Sequence, residues 1–192
     1  MKILITGGNG DIAQKIVAHL NKYEVLNPDI NELDISDEEQ VKSYMNEYKP
    51  EILINNAAIF EEAYVKDAKR FEEVIKINLI GTYYCCKYAI INGCKKIINI
   101  SSAAGFKGKA RFSSYGASKA GIITLTDSLV EEGIEAYCLI PHRMNAGIRR
   151  KMFPNEDVEM LLNPEVIARV ILNIFDGCYS PGERIDIKKQ LW

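Results

Sequence analysis

The sequence predicts an α/β fold, a doubly wound parallel sheet shortened on the side after its second strand. Three observations carry this. Short continuous β-branched runs alternate with segments of helical periodicity, the pattern of a parallel sheet covered on both faces. A glycine-rich turn, "TGGNGD", joins the first run to the first helical segment. Only "NPDINELDIS" separates the second run from an acidic helical segment, whereas a parallel crossover takes about a dozen residues or more.

The elements follow in order. Strands are expected at 3–6, 24–26, 52–55, 96–100, 136–140 and 184–187. The first helical segment carries Ile12, Ile16, Val17 and Leu20 on one side. The shortened connection implies a missing crossover helix, leaving "NELDI" as a loop or a very short edge strand. "SDEE" offers Ser36 as N-cap with Glu39 three residues on, and Lys49-Pro50 stops that helix. Helical spacing runs through 71–92 and closes at Gly93, and "NPEV" offers Asn163 as cap with Pro164 in the first turn.

A chain of 192 residues with 47% apolar content is expected to form one domain, 1–192, around one core. The formal net charge of −2 comes from scattered charges without a basic stripe, which argues against nucleic acid and anionic membrane as partners. No apolar run reaches membrane length, and the opening "MKILITGG" is too short for a signal peptide. Cys85, Cys86, Cys94, Cys138 and Cys178 are odd in number and lack metal-ligand spacing, so no metal is expected and a reduced, cytoplasmic location is.

Function enters through two stretches. In "ILITGGNGDIAQKIVAHL" a strand, a glycine turn and an amphipathic helix occur in the order a dinucleotide site needs. Gly7, Gly8 and Gly10 supply the turn, and Ala13 stands where a third glycine would bring helix and strand close. Backbone N–H groups of 9–12 at the helix start would favour a pyrophosphate. The glycines alone leave the reading open between such a site and an ordinary strand-turn-helix corner. Asp11, with Gln14 three residues on, also reads as an N-cap, its carboxylate turned sideways into the helix end.

The second stretch is "SSYGASKAG". Tyr115 and Lys119, four apart on a helix, share one face. A phenol titrates near ~10, so its use as an acid or base at neutral pH calls for a nearby cation, and an ammonium one turn away provides it. Upstream, the strand "KKIINI" runs into Ser101 and Ser102. Strand carboxyl ends are where open α/β sheets bind ligands, so the serines and the glycine loop point to one edge.

The sequence resembles the short-chain dehydrogenase/reductase family along essentially its whole length: "TGGNGDIA", "INNAA", "KINLIG", "INISS" and "YGASK" each match a family motif. The resemblance implies a Rossmann-like, NAD(P)-binding fold and hydride transfer between NAD or NADP and a carbonyl or alcohol substrate. It implies that Tyr115 is the proton donor, that Lys119 lowers its pKa and holds the cofactor ribose, that Ser102 orients the substrate oxygen, and that Asn78 holds a water in a proton relay. It places Gly7, Asn9, Gly10, Asp11, Ile12, Asn27, Asp34, Ile35, Asn56, Ala57, Ala58, Pro141 and Met144 along the cofactor. A homodimer or homotetramer through 71–92 and 115–131 is implied as well.

The sequence departs from the family pattern in places. The glycine spacing resembles that of the extended subfamily, and the abbreviated region 25–58 is similar to that of dTDP-4-dehydrorhamnose reductases. After the fifth strand, "PHRMNA" puts His142 and Ala146 where the family has glycine and threonine, and the segment 147–162 is short for a substrate lid, with Arg149, Arg150 and Lys151 either meeting an anionic substrate or solvated. Asn27 ends the second strand without a cation nearby, which leans toward NAD. Apolar and small polar residues near Phe106 and Phe112 would suit many carbonyl compounds. The alternative function is a NAD(P)-binding sensor that kept the fold.

Overall fold

A computed structural model describes residues 1–188. One parallel sheet organises them, with β1 (Lys2–Ile5), β2 (Glu24–Leu26), β3 (Ile52–Asn55), β4 (Lys96–Ile100), β5 (Glu135–Pro141) and β6 (Arg184–Ile187) in the order β2-β1-β3-β4-β5-β6. The helices are α1 (Asp11–His19), α2 (Glu38–Tyr48), α3 (Phe71–Ile75), α4 (Thr82–Ile91), α5 (Ser113–Glu131), α6 (Gly147–Met152) and α7 (Glu165–Phe175).

Strand alternation decides which helix covers which face. Ile3, Ile5, Ile52, Ile54, Leu139 and Ile185 turn to one side, where Ile16, Leu20, Val170 and Ile171 of α1 and α7 bury them. Leu4, Leu53, Ile97 and Ala136 turn to the other, against Val41 and Met45 of α2, Cys85 and Ala89 of α4, and Leu129 of α5. Both faces are thus covered, and every predicted strand is present within a residue of its expected bounds.

The region 27–37 contains neither helix nor strand, so β2 is the sheet edge. Leu33 and Ile35 nevertheless pack into the core, which fixes the loop over the carboxyl end of β1. The α2 cap is Asp37, not Ser36. The Ser36 N–H is held by the Asp34 carboxylate at 2.9 Å and the chain is still turning there; Asp37 is the extended residue whose carboxylate receives the Glu39 and Gln40 N–H groups. The Asn163 side chain does receive the Glu165 N–H at 3.0 Å.

Between α3 and α4 the backbone takes a π-helical turn, Lys76–Gly81, that periodicity did not foretell. Gly81 sits where a Cβ would lie 2.8 Å from the Ile35 carbonyl oxygen, so this turn packs directly on the shortened loop. Beneath the sheet's carboxyl edge, Asn55 donates to Asn99 at 2.8 Å and Asn99 to Thr126 at 2.9 Å, a buried polar chain tying β3 and β4 to α5. The four buried cysteines and the exposed Cys178 are all unpaired thiols.

Candidate active site

The strand order reverses at β1 and β3, and both strands end at the same cleft. A ligand crevice at such a switch point is the general expectation for an open α/β sheet. The cleft has a volume of about 1000 Å³.

At its β1 end, Gly7 has a φ of 73°, and a Cβ there would approach Ala57 Cα to 2.9 Å. Thr6, unremarked in the sequence, is the lock: its hydroxyl receives the N–H groups of Asn56 and Ala57, each at 3.1 Å. Asn56 in turn donates to the Thr6 carbonyl at 3.0 Å. Gly10 donates back to Gly7, whereas among the described residues the N–H groups of Asn9, Asp11 and Ile12 have no protein acceptor. These free donors at the start of α1 suit an anion.

Asp11 does not cap the helix. It is the first residue of α1, Gly10 being the cap, and its carboxylate turns across the cleft to Arg150 of α6 at 2.5 Å. The guanidinium offsets the charge that would otherwise oppose a pyrophosphate. Gln14, the expected capping partner, instead donates to the Gly8 carbonyl at 2.5 Å.

Of the expected site residues, Gly7, Asn9, Gly10, Asp11, Ile12, Asp34, Ile35, Asn56, Ala57, Ala58, Ser102, Tyr115, Lys119, Pro141 and Met144 all line the cleft. Asn27 does not: its carbonyl lies behind the loop, where a Cβ on Gly8 would meet it at 1.8 Å. Asp29 takes the place facing the cleft, its carboxylate fixed by the Asn31 N–H at 2.8 Å and by the Asn9 side chain. Asn78 also lies outside the lining, fully buried in the π turn. Its amide exchanges hydrogen bonds of 2.8 and 2.9 Å with the Ile59 backbone and donates to Ser118 at 3.1 Å. Its side chain therefore positions the chain after β3.

On the facing wall, Ser102 follows β4 and its hydroxyl receives the Ala104 N–H at 3.2 Å. Tyr115 stands in the first turn of α5 and Lys119 one turn on, as their spacing requires. Lys119 is 3% exposed, and its ammonium donates to the Ile100 carbonyl at 2.8 Å and lies 5.7 Å from the Tyr115 ring centroid. Burial lowers its pKa from 10.5 to about 8. Burial raises the Tyr115 phenol, while the Ser102 hydroxyl and the Arg149 charge pull it back. The Tyr115–Lys119 spacing predicts that Lys119 supplies this pull; Arg149, from the short segment after β5, supplies it here.

The substrate side is aromatic, but with a different membership from the expected one. Phe106 is 48% exposed and outside the lining. Phe60 contacts both Phe112 and Tyr115 at centroid distances of 4.8 Å, and Phe153 approaches Phe112 at 6.4 Å. Phe60 and Phe153 were invisible in sequence because the loops that carry them have no periodicity. His142 lines the cleft with its ring paired to Asp186 at 2.8 Å.

Residues 1–157 match the family model described as short chain dehydrogenase. The chain belongs to the short-chain dehydrogenase family. Over 204 residues it is 30% identical to carbonyl reductase family member 4 of Xenopus laevis, covering 94% of this chain and 83% of that protein. To the 3-oxoacyl-[acyl-carrier-protein] reductase FabG of Aquifex aeolicus it is 29% identical, covering 95% and 76%. The ligand-free aldohexose dehydrogenase of Thermoplasma acidophilum superposes with a TM-score of 0.87 at 21% identity, covering 97% of this chain and 92% of that one, which establishes the shared fold. As a short-chain dehydrogenase the chain is an enzyme of the oxidoreductase class, and no helix among the described residues is long and apolar enough to cross a membrane.

Proposed function

We propose that this short-chain dehydrogenase interconverts a carbonyl compound and its alcohol with NAD as cofactor, Tyr115 acting as the general acid and base. The observation that carries the reading is the convergence of Ser102, Tyr115 and Lys119 on one wall of a cleft whose far end is the glycine loop. The cofactor supplies or accepts the hydride. The residues present fit such a group: free N–H donors at the start of α1, a loop with no room for side chains at Gly7 and Gly8, and the Arg150 charge set against Asp11.

Each side chain has a task its surroundings support. Ser102 donates a hydrogen bond to the substrate oxygen, and Tyr115 gives that oxygen its proton during reduction and removes it during oxidation. Lys119, anchored on the Ile100 carbonyl, brings a positive charge near the phenol, and the Arg149 charge favours its ionised form as well. Asn78 holds the chain after β3 against α5 so that Phe60 reaches the Tyr115 ring.

The choice of NAD over NADP rests on Asp29 and Asp34, which line the cleft beyond β2 and whose charges would oppose a 2′-phosphate. Ile80, Tyr83 and Ile91 are exposed along the π turn and α4, which supports a homo-oligomer, checked by light scattering. The test of function is a fluorescence titration with NADH and NADPH followed by a carbonyl screen. Binding with turnover supports the reading, binding without turnover on any carbonyl favours the sensor, and no binding of either nucleotide ends both.

A further inference from the structure

Charge is unevenly distributed along the cleft. Asp29 and Asp34 lie at the end near β2, whereas Lys107, Lys109 and Lys151 line the opposite end without a carboxylate within salt-bridge distance among the described residues. Arg143 and Arg149 share one acid, Glu156, at 3.2 and 2.6 Å. An excess of uncompensated cations in a concave, partly apolar site draws in and holds an anion.

Lys109 is the best placed of them. Its ammonium lies 4.2 Å from the Phe112 ring centroid and 5.7 Å from that of Phe153. Those rings continue through Phe60, which packs edge-on against Phe112 at 83°, to Tyr115, so a cation and an apolar aromatic lining run up to the reacting phenol. The turn that carries Lys109 is held against a conformational cost. Arg111 adopts a φ of 72°, a left-handed conformation that a non-glycine residue rarely takes. It is stapled by the Phe112 N–H to the Lys109 carbonyl at 3.1 Å and the Ala63 N–H to the Arg111 carbonyl at 3.0 Å.

We infer that the substrate is a carbonyl compound with an apolar body bearing a carboxylate, the body lying against Phe60 and Phe153 and the carboxylate meeting Lys109. The inference rests on the proposed oxidoreductase reading for the position of the carbonyl at Tyr115. Carbonyl and carboxylate then lie at opposite ends of that body, the charged group beside the exposed Lys109, where it is only partly desolvated.

The test compares 4-formylbenzoate with its uncharged methyl ester, by calorimetric binding to the free protein and to the NADH mixture and by NADH oxidation. The carboxylate is expected to bind about tenfold more tightly than the ester, the effect of one partly desolvated ion pair, with a preference that shrinks as salt rises. Lys109→Gln should bring that ratio toward unity and Lys109→Arg should preserve it. Equal binding of the two compounds, failure of the carboxylate to bind, or a preference that survives Lys109→Gln overturns the inference. Failure of NADH itself to bind overturns the proposed function instead, and the ratio on free protein still decides the substrate class.

Discussion

Lys119 sits directly under Tyr115, its ammonium 5.7 Å from the ring centroid, yet its hydrogen bond goes to the Ile100 carbonyl at 2.8 Å. The two residues are therefore fixed by different elements, the phenol by the start of α5 and the ammonium by the end of β4. Removing the phenol oxygen should then leave the rest of the site standing. Tyr115→Phe is expected to lower kcat by roughly 10²–10⁴-fold, the worth of a positioned general acid, while NADH affinity changes little. Steady-state kinetics alongside a nucleotide titration checks this, and unchanged turnover would remove Tyr115 from the chemistry.

The burial of Lys119 has a consequence for stability. The folded protein holds the ammonium proton less firmly than the unfolded chain does, with a pKa of about 8 against an ordinary 10.5. Between those values the unfolded state binds more protons, so this group makes stability rise with pH through that window. Urea unfolding of the wild type and Lys119→Met should diverge there, the wild type gaining on the variant from about pH 8 upward. Parallel profiles would mean that Lys119 titrates as an exposed lysine.

Much of this was legible in the sequence because it is written in local spacing. Six strands, the glycine turn, the absent crossover helix and the Tyr115–Lys119 pairing each follow from residues within a few positions of one another. What was not legible depends on approach between distant segments. Asn27 lost its place to Asp29 because the chain after β2 folds back on Gly8, and Asp11 turned from cap to ion pair because Arg150, 139 residues away, arrives from α6. Phe60 and Phe153 meet Phe112 only once loops after β3 and β5 are closed over the same edge.

Asp29 makes cofactor choice testable. It faces the cleft with its carboxylate fixed by the Asn31 N–H, so a 2′-phosphate would meet a like charge that cannot swing away freely. NADH is expected to bind roughly tenfold more tightly than NADPH, a modest gap for a solvent-facing repulsion. Asp29→Asn should narrow it through better NADPH binding. Fluorescence titration of both nucleotides reads the ratio, and a wild-type preference for NADPH would contradict the assignment.

Asn99 links two partners that have few alternatives. It receives the Asn55 amide and donates to Thr126, all three residues being buried. Asn99→Ala would remove both bonds, leaving the Asn55 amide only the Cys86 sulfur at 3.3 Å and the Thr126 hydroxyl only the Ile122 carbonyl at 2.8 Å, at about 1–3 kcal/mol in total. Urea unfolding should register a loss in that range. Thr126→Val, which removes one partner only, should cost less, and an Asn99→Ala variant as stable as the wild type would mean that water replaces the lost bonds.

Gly8 and Gly10 look equivalent in "TGGNG", but the space around them differs. A Cβ on Gly8 would fall 1.8 Å from the Asn27 carbonyl oxygen, which is backbone and cannot rotate aside. A Cβ on Gly10 meets nothing nearer than the Gly7 carbonyl oxygen at 3.3 Å. Gly8→Ala must therefore push the chain after β2 away from the glycine loop, breaking the Gly8 N–H bond to the Pro28 carbonyl and carrying Asp29 out of the cleft. It is expected to lower stability by about 1–3 kcal/mol, as overpacking of a tight contact does, and to erase discrimination between NADH and NADPH. Gly10→Ala should be much milder in thermal unfolding and should keep that discrimination. If the two variants behave alike, the close approach of Asn27 to Gly8 is not what positions Asp29.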